Sequence, residues 1–90
     1  MTQPWFRVRS LQALGSALSE IRQAAGLSQS DAAEGAHTSR PTVSRMERGQ
    51  QVSTATVIDM VAVTGYDIVL VPRGARLKVD AAQDFDLAKA

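Results

Sequence analysis

The stretch LSQSDAAEGAHTSRPTVSRMERG, Leu27 to Gly49, decides how this chain folds. It opens with Ser28 and Asp31 in the S-x-x-D spacing, by which a hydroxyl and a carboxylate satisfy the first free amides of a helix reciprocally. A short helix is therefore expected from about Gln29 to Ala36. Gly35 inside it costs on the order of 1 kcal/mol relative to Ala, so packing of Ala32, Ala33 and Ala36 must hold this helix. Such small side chains let another helix come close. His37-Thr38-Ser39 reads as a tight turn, and His is among the residues that tolerate positive φ. Ser39 is a new N-cap, and Pro41 falls in the first helical turn, where its missing N–H leaves nothing unpaired. The helix that follows runs from about Arg40 to Arg48 and stops at Gly49. It places Val43 and Met46 on one face and Arg40, Thr42, Ser44 and Arg45 on others.

Outward from this pair of helices the chain repeats the same punctuation. Leu11, Leu14, Leu18 and Ile21 recur at steps of three and four with polar residues between them, an amphipathic helix from about 11 to 25 with Ser10 as N-cap and Gly26 as its stop. Ser53 caps a further helix from about Thr54 to Thr64, with Val57, Met60, Val61 and Thr64 inward and Gly65 at its end. Beyond Gly65 the texture changes. Tyr66-Asp67-Ile68-Val69-Leu70-Val71 is aromatic and β-branched and is closed by Pro72, which reads as a strand. One strand cannot satisfy its own backbone, and no second run of like strength exists, so the expected partner is the same strand of another copy. Trp5 and Phe6 are expected to pack the arm against the core or the dimer. The organisation is an arm over 1–9, a helical domain over 10–65, a dimerisation strand over 66–72 and a mobile tail over 73–90, with at most a weak helix around Ala81 to Ala88.

Composition narrows the function. Ninety residues hold one small core, which is marginal alone and gains from a partner. The absence of cysteine excludes a disulfide scaffold and a thiolate zinc site. The longest apolar run, Ile68 to Val71, is far below the ~20 residues that span a bilayer, and the N-terminus lacks a signal-peptide layout, so a cytoplasmic protein with no membrane partner is expected. Residues 1 to 49 carry six arginines against four carboxylates, whereas residues 79 to 90 carry Lys89 against Asp80, Asp84 and Asp86. This weak basic bias permits a nucleic-acid partner without arguing for one.

Catalytic constellations are missing. His37 sits among Ala, Thr and Ser with no carboxylate placed by sequence to orient it. Asp84-Phe85-Asp86 lacks the glycine and terminal glutamate of a calcium loop, and neither GxGxxG nor GxxxxGK[ST] occurs. No enzyme, metal or cofactor is expected. The two central helices do have a physical use. A helix bearing Arg40, Thr42, Ser44 and Arg45 can enter the ~12 Å major groove, where Arg bonds guanine O6 and N7 together and Ser or Thr reaches either kind of edge. The preceding helix would point its first amides, with Ser28 and Gln29, at a phosphate. Periodicity alone favours a helical bundle with polar surface helices over this use. Arg7 and Arg9 fit a phosphate contact or a solvated face, and Glu47 is expected to pair with Arg45 or Arg48 rather than to read a cytosine amine.

The pattern of Leu27, Ser28, Gln29, Ala33, Ser39, Thr42, Val43, Ser44, Arg45, Glu47 and Gly49 resembles the XRE, or lambda-repressor-like, helix-turn-helix family. Within it, the strand Tyr66 to Val71 followed by Pro72-Arg73 resembles the HipB-like antitoxins, and the likeness spans roughly residues 6 to 73. This resemblance implies a mainly α, lambda-repressor-like four-helix DNA-binding domain whose C-terminal β-strand forms an intersubunit two-stranded sheet. It implies a homodimeric transcriptional repressor on an inverted-repeat operator in double-stranded DNA, and an autoregulating antitoxin of a HipA-type kinase toxin. A stand-alone repressor and a protein-interaction module that has lost DNA binding are the alternatives. The DNA-contacting set would be Ser28, Gln29, Thr38, Ser39, Arg40, Pro41, Thr42, Ser44 and Arg45, and the dimerisation set Tyr66, Ile68, Val69, Leu70 and Val71. Three residues depart from the family pattern: His37 stands at a usual turn glycine, Thr38 at a usual aliphatic and Ala32 at a usual leucine, while Gly35 loosens the same helix and Pro41 is a further unusual choice. A turn less stable than the family norm is expected. Pro41 can touch a thymine methyl but cannot donate to a base.

Overall fold

The structure, a computed structural model, describes residues 5–78. The weak helix expected around Ala81 to Ala88 lies outside the described residues, as do residues 1–4 of the arm and 79–90 of the tail. Four α-helices follow one another among the described residues: α1 Leu11–Ala24, α2 Gln29–Gly35, α3 Arg40–Glu47 and α4 Thr54–Val63. In each case the residue expected to end the helix is instead its C-cap, Ala25, Ala36, Arg48 and Thr64.

All four helices begin and end by one device. Ser10, Ser28, Ser39 and Ser53 each hold extended backbone and accept on the side-chain oxygen from the amide three residues on, those of Ala13, Asp31, Thr42 and Thr56. Each serine so satisfies an amide that has no partner inside its helix, worth ~1 kcal/mol against Ala. At the other end, the amides of Leu27, Thr38, Gln50 and Tyr66 donate back to the carbonyls of Arg22, Ala33, Arg45 and Val61, five residues earlier. This closure needs a left-handed residue just past the cap. Gly26, Gly49 and Gly65 supply it with φ of 74°, 80° and 85°, and His37 supplies it with φ of 55°. The turn between α2 and α3 therefore uses the geometry of the other three with a side chain present.

α3 is the centre of the packing: α1 and α2 both lie on it, and α4 lies on α2. Leu18, Val43 and Met60 are the largest fully buried side chains, joined in the core by Ile21, Ala32, Ala33, Met46 and Val61. Burial of a side chain of this size is worth roughly 1.5 to 3 kcal/mol. Ala36 is buried as expected, whereas Val57 and Thr64 are half-buried. Gly35 has a tertiary reason to be glycine, because a Cβ there would stand 3.0 Å from a methyl of Val63 on α4.

Leu11 departs from expectation and remains 46% exposed. The turn at Gly49 lies against Gln12 instead, close enough that a Cβ on Gly49 would come within 3.0 Å of the Gln12 Cα. Backbone thus covers the start of α1 and leaves Leu11 at the margin. Phe6 packs on the core and meets the Tyr66 ring at 6.2 Å between centroids, tilted by 58°. The arm and the segment after α4 therefore lie together. Residues 66–72 adopt no regular element in the single chain, and Ile68 to Val71 are exposed, Leu70 at 93%. No helix among the described residues is long and apolar enough to cross a membrane.

Gly15 permits the closest approach in the core, since a Cβ there would stand 2.6 Å from the carbonyl oxygen of Glu47 and 2.7 Å from that of Met46. Backbone at that distance cannot yield without moving α3. Gly15→Ala should therefore lower stability by roughly 1 to 3 kcal/mol in urea unfolding, against the ~1 kcal/mol that helix propensity alone would add. His37→Gly should act in the opposite direction, raising stability by roughly 0.5 to 1 kcal/mol as left-handed strain is relieved and offset in part by a more flexible unfolded chain. A destabilised His37→Gly would show that the histidine ring makes a contact worth more than that strain.

Candidate nucleic-acid interface

The α2-turn-α3 unit is fixed to α1 by one side-chain network. Arg22, in the last turn of α1, donates from Nε and Nη2 to the two carboxylate oxygens of Glu47, at 2.5 and 3.0 Å. Its Nη1 donates to the Leu27 carbonyl at 2.8 Å, and Gln29 Nε2 donates to Glu47 Oε1 at 3.1 Å. The two charged side chains are 12% and 7% exposed. A planar guanidinium suits this forked contact, and the pair is satisfied on all three guanidinium nitrogens. The expectation that Glu47 pairs with Arg45 or Arg48 is thus corrected. Arg22 reaches it from another helix, because Glu47 lies at the edge of α3 that faces α1.

That correction matters for the surface. A carboxylate in the last turn of α3 opposes the helix dipole and would repel an approaching phosphate. Held by Arg22, it is withdrawn from solvent and neutralised. At the start of α2, the Ser28 amide donates to Asp31 Oδ2 and the Asp31 amide to Ser28 Oγ, each at 3.0 Å. The bond from the Ser28 amide, and after it the nearby Ser28 hydroxyl, hold the Asp31 carboxyl below its ordinary value of 3.8. The sign follows: this cap contributes in full above that value and fades as pH falls through the lowered one. The Gln29 and Ser30 amides keep no intramolecular acceptor among the described residues.

On α3 the 100° step per residue separates two sides. Val43 and Met46 are buried. Pro41, Ser44 and Arg45 lie away from them and Arg40 lies on the flank, about 60° round the helix from Val43; Arg40, Pro41 and Arg45 are exposed and Ser44 is half-buried. Thr42 lies at the border of this face and is half-buried. Its Oγ1 is 2.9 Å from Ser39 Oγ and accepts from Arg45 Nη2 at 3.1 Å, while its amide donates to Ser39 Oγ at 3.3 Å. Ser28 and Ser39 are exposed at their caps; Gln29 and Thr38 are half-buried.

The structure thus brings Ser39, Arg40, Pro41, Ser44 and Arg45 onto one accessible surface and ties Gln29 to Glu47 beside it. Sequence reasoning left out Arg48, which is exposed and falls on the same helical side as Pro41 and Arg45; the spacing was visible, but its place at the helix stop hid it. It also left out Arg22, for which no local signal exists. Arg7 has its guanidinium carbon 5.9 Å from the centre of the Trp5 ring. Tyr66 is half-buried, and Ile68, Val69, Leu70 and Val71 are exposed. Among the described residues no group of three or more His, Asp or Glu could hold a metal ion.

A family profile described as a helix-turn-helix domain matches residues 13–73. No match is found among curated proteins. Among solved structures, the clp gene regulator ClgR from Corynebacterium glutamicum is similar in two crystal structures. One is 29% identical with a TM-score of 0.60, covering 63% of this chain and 62% of that one. The other is 25% identical with a TM-score of 0.62, covering 73% of this chain and 85% of that one. The matched region thus spans less than two thirds of the first of these structures.

Removing one partner of the Arg22 and Glu47 pair strands the other in a site that water reaches poorly. Glu47→Gln should cost about 2 to 3 kcal/mol in urea unfolding, somewhat below the cost at a fully buried site because a rim of the pair remains hydrated. A loss under ~0.5 kcal/mol would place the pair among ordinary surface bridges.

Proposed function

The chain belongs to the helix-turn-helix domain family, and from that premise we propose that it binds double-stranded DNA sequence-specifically, as a homodimeric repressor on an inverted repeat. It acts by occupancy rather than by catalysis. The observation that carries this reading is the outer face of α3, which presents Ser44 and Arg45 away from the buried Val43 and Met46, with Arg40 exposed on its flank, while Glu47 is withdrawn. In the major groove the two arginines read guanine edges, Ser44 reaches a neighbouring base and Pro41 contacts a thymine methyl. Ser28, Thr38, Ser39 and the free Gln29 and Ser30 amides hold phosphates and set the register. The likeness to a gene regulator supports a role in transcription, in the cytoplasm.

The homodimer is carried by Ile68 to Val71, four consecutive exposed apolar residues beside the Phe6 and Tyr66 contact. Antiparallel pairing of residues 66–72 with a second copy forms a two-stranded sheet, removes the exposed edge and orders the segment. The XRE family and its HipB-like branch are the finer placement, supported by the motif from Leu27 to Gly49 and the segment through Arg73. That branch adds a HipA-type kinase toxin as partner, on surfaces away from α3. Co-expression with the neighbouring gene and recovery of a complex tests it; failure leaves a stand-alone repressor.

Two measurements test the core of the reading. Arg40→Ala and Arg45→Ala should each lose ~1 to 3 kcal/mol on the selected site and flatten discrimination between sites. A uniform weakening on every sequence, with a shallower salt slope, would make them phosphate contacts instead.

The dimer has its own test. Leu70→Asp should convert a dimer to a monomer in sedimentation at micromolar concentration while leaving thermal unfolding of the monomer unchanged, since the side chain is 93% exposed. A wild-type monomer under those conditions ends the dimer proposal.

A further inference from the structure

The polar chain Ser39, Thr42, Arg45 has a direction. A guanidinium has donors only, so in the 3.1 Å contact with Arg45 Nη2 the Thr42 oxygen must accept. Ser39 Oγ already accepts from the Thr42 amide. The remaining 2.9 Å contact between the two hydroxyls takes one proton. The positive charge of Arg45 on Thr42 Oγ1 favours Thr42 as its donor, because each bond polarises the next. Thr42 then has its proton and an acceptor site committed inside the protein.

Its place on α3 agrees. Thr42 lies about 60° round the helix from Arg45, toward Met46, and is half-buried, whereas Arg45 is exposed. A long arginine side chain free in solvent loses rotamer entropy when it engages a base. A threonine at i−3 whose own χ1 is restricted by β-branching and by the Ser39 bond reduces that loss.

We propose that Thr42 is a positioning residue for Arg45: it accepts from Nη2 and presets the guanidinium for the DNA edge that Arg45 reads, and it makes no independent base contact. This rests on the reading of Arg45 as a base contact.

The test is a double-mutant cycle on the full chain. The probes are a duplex enriched from a randomised pool by the wild-type protein and a scrambled duplex of the same composition. Thr42→Val keeps the shape and removes the oxygen, Thr42→Ser restores it, and Arg45→Ala removes the group it positions. Thr42→Val should reduce discrimination between the two duplexes about five- to tenfold, within the range of one good base contact. Its salt slope and melting temperature should match the wild type, and Thr42→Ser should recover most of the discrimination. The double variant should be no worse than Arg45→Ala alone. Additive losses in the double variant would make Thr42 an independent contact and overturn the proposal, as would wild-type discrimination in Thr42→Val. A wild-type protein that enriches no duplex, or an Arg45→Ala variant with full discrimination, would remove the underlying reading and the positioning role with it.

Discussion

The ion pair between Arg22 and Glu47 is the constraint on which the arrangement of this domain depends. It joins the end of α1 to the end of α3, and through Leu27 and Gln29 it also holds the loop into α2 and the first turn of α2. α2 has only seven residues, and α3 eight, lengths at which isolated helices do not persist in water. Their mutual orientation comes from contacts with α1 and with each other. A pair that joins both carboxylate oxygens to two guanidinium nitrogens, with the third on the Leu27 carbonyl, fixes direction as well as distance, which a contact between alanines or valines does not.

The core on the other side of α3 complements this with close approach. Gly15 on α1 lets the α3 backbone come close, Ala32 and Ala33 on α2 are buried beside it, and Leu18, Ile21 and Met60 complete the same core. Val43 and Met46 fill what space remains. The consequence for the surface is direct: with one side of so short a helix enclosed and its acidic edge neutralised, its other side stands out from the domain with arginines and short polar groups. Rigidity of the inner side is what makes the outer side a defined surface, since a reading helix that rocks by an ångström loses the geometry of paired hydrogen bonds to a base.

The departures from the family pattern become intelligible in these terms. His37 takes the left-handed position that glycine fills at the other three helix ends, so the same closure is made with strain in it. Ala32 is fully buried with only a methyl side chain, and at Gly35 the missing side chain admits Val63 of α4 directly against α2. The turn is the least favourable part of the frame by local conformation, and the network at its opposite end, from Gln29 to Glu47, holds α2 in place.

The sequence by itself determined where each helix begins and ends. Ser10, Ser28, Ser39 and Ser53 act on amides three residues away, and Gly26, Gly49 and Gly65 act through their own φ, so each signal is complete within one turn of chain. Most of the exposed face of α3 was legible for the same reason, because 3.6-residue periodicity puts Pro41, Ser44 and Arg45 away from Val43 and Met46, with Arg40 on the flank. Only the tertiary structure decided that Glu47 belongs to Arg22, that Leu11 stays outside and that Gly15 must carry no side chain. Those outcomes depend on how α3 crosses α1. Arg22 and Glu47 are 25 positions apart, beyond any rule of local spacing, and meet only because Gly15 lets the two backbones approach closely enough for the pair to close.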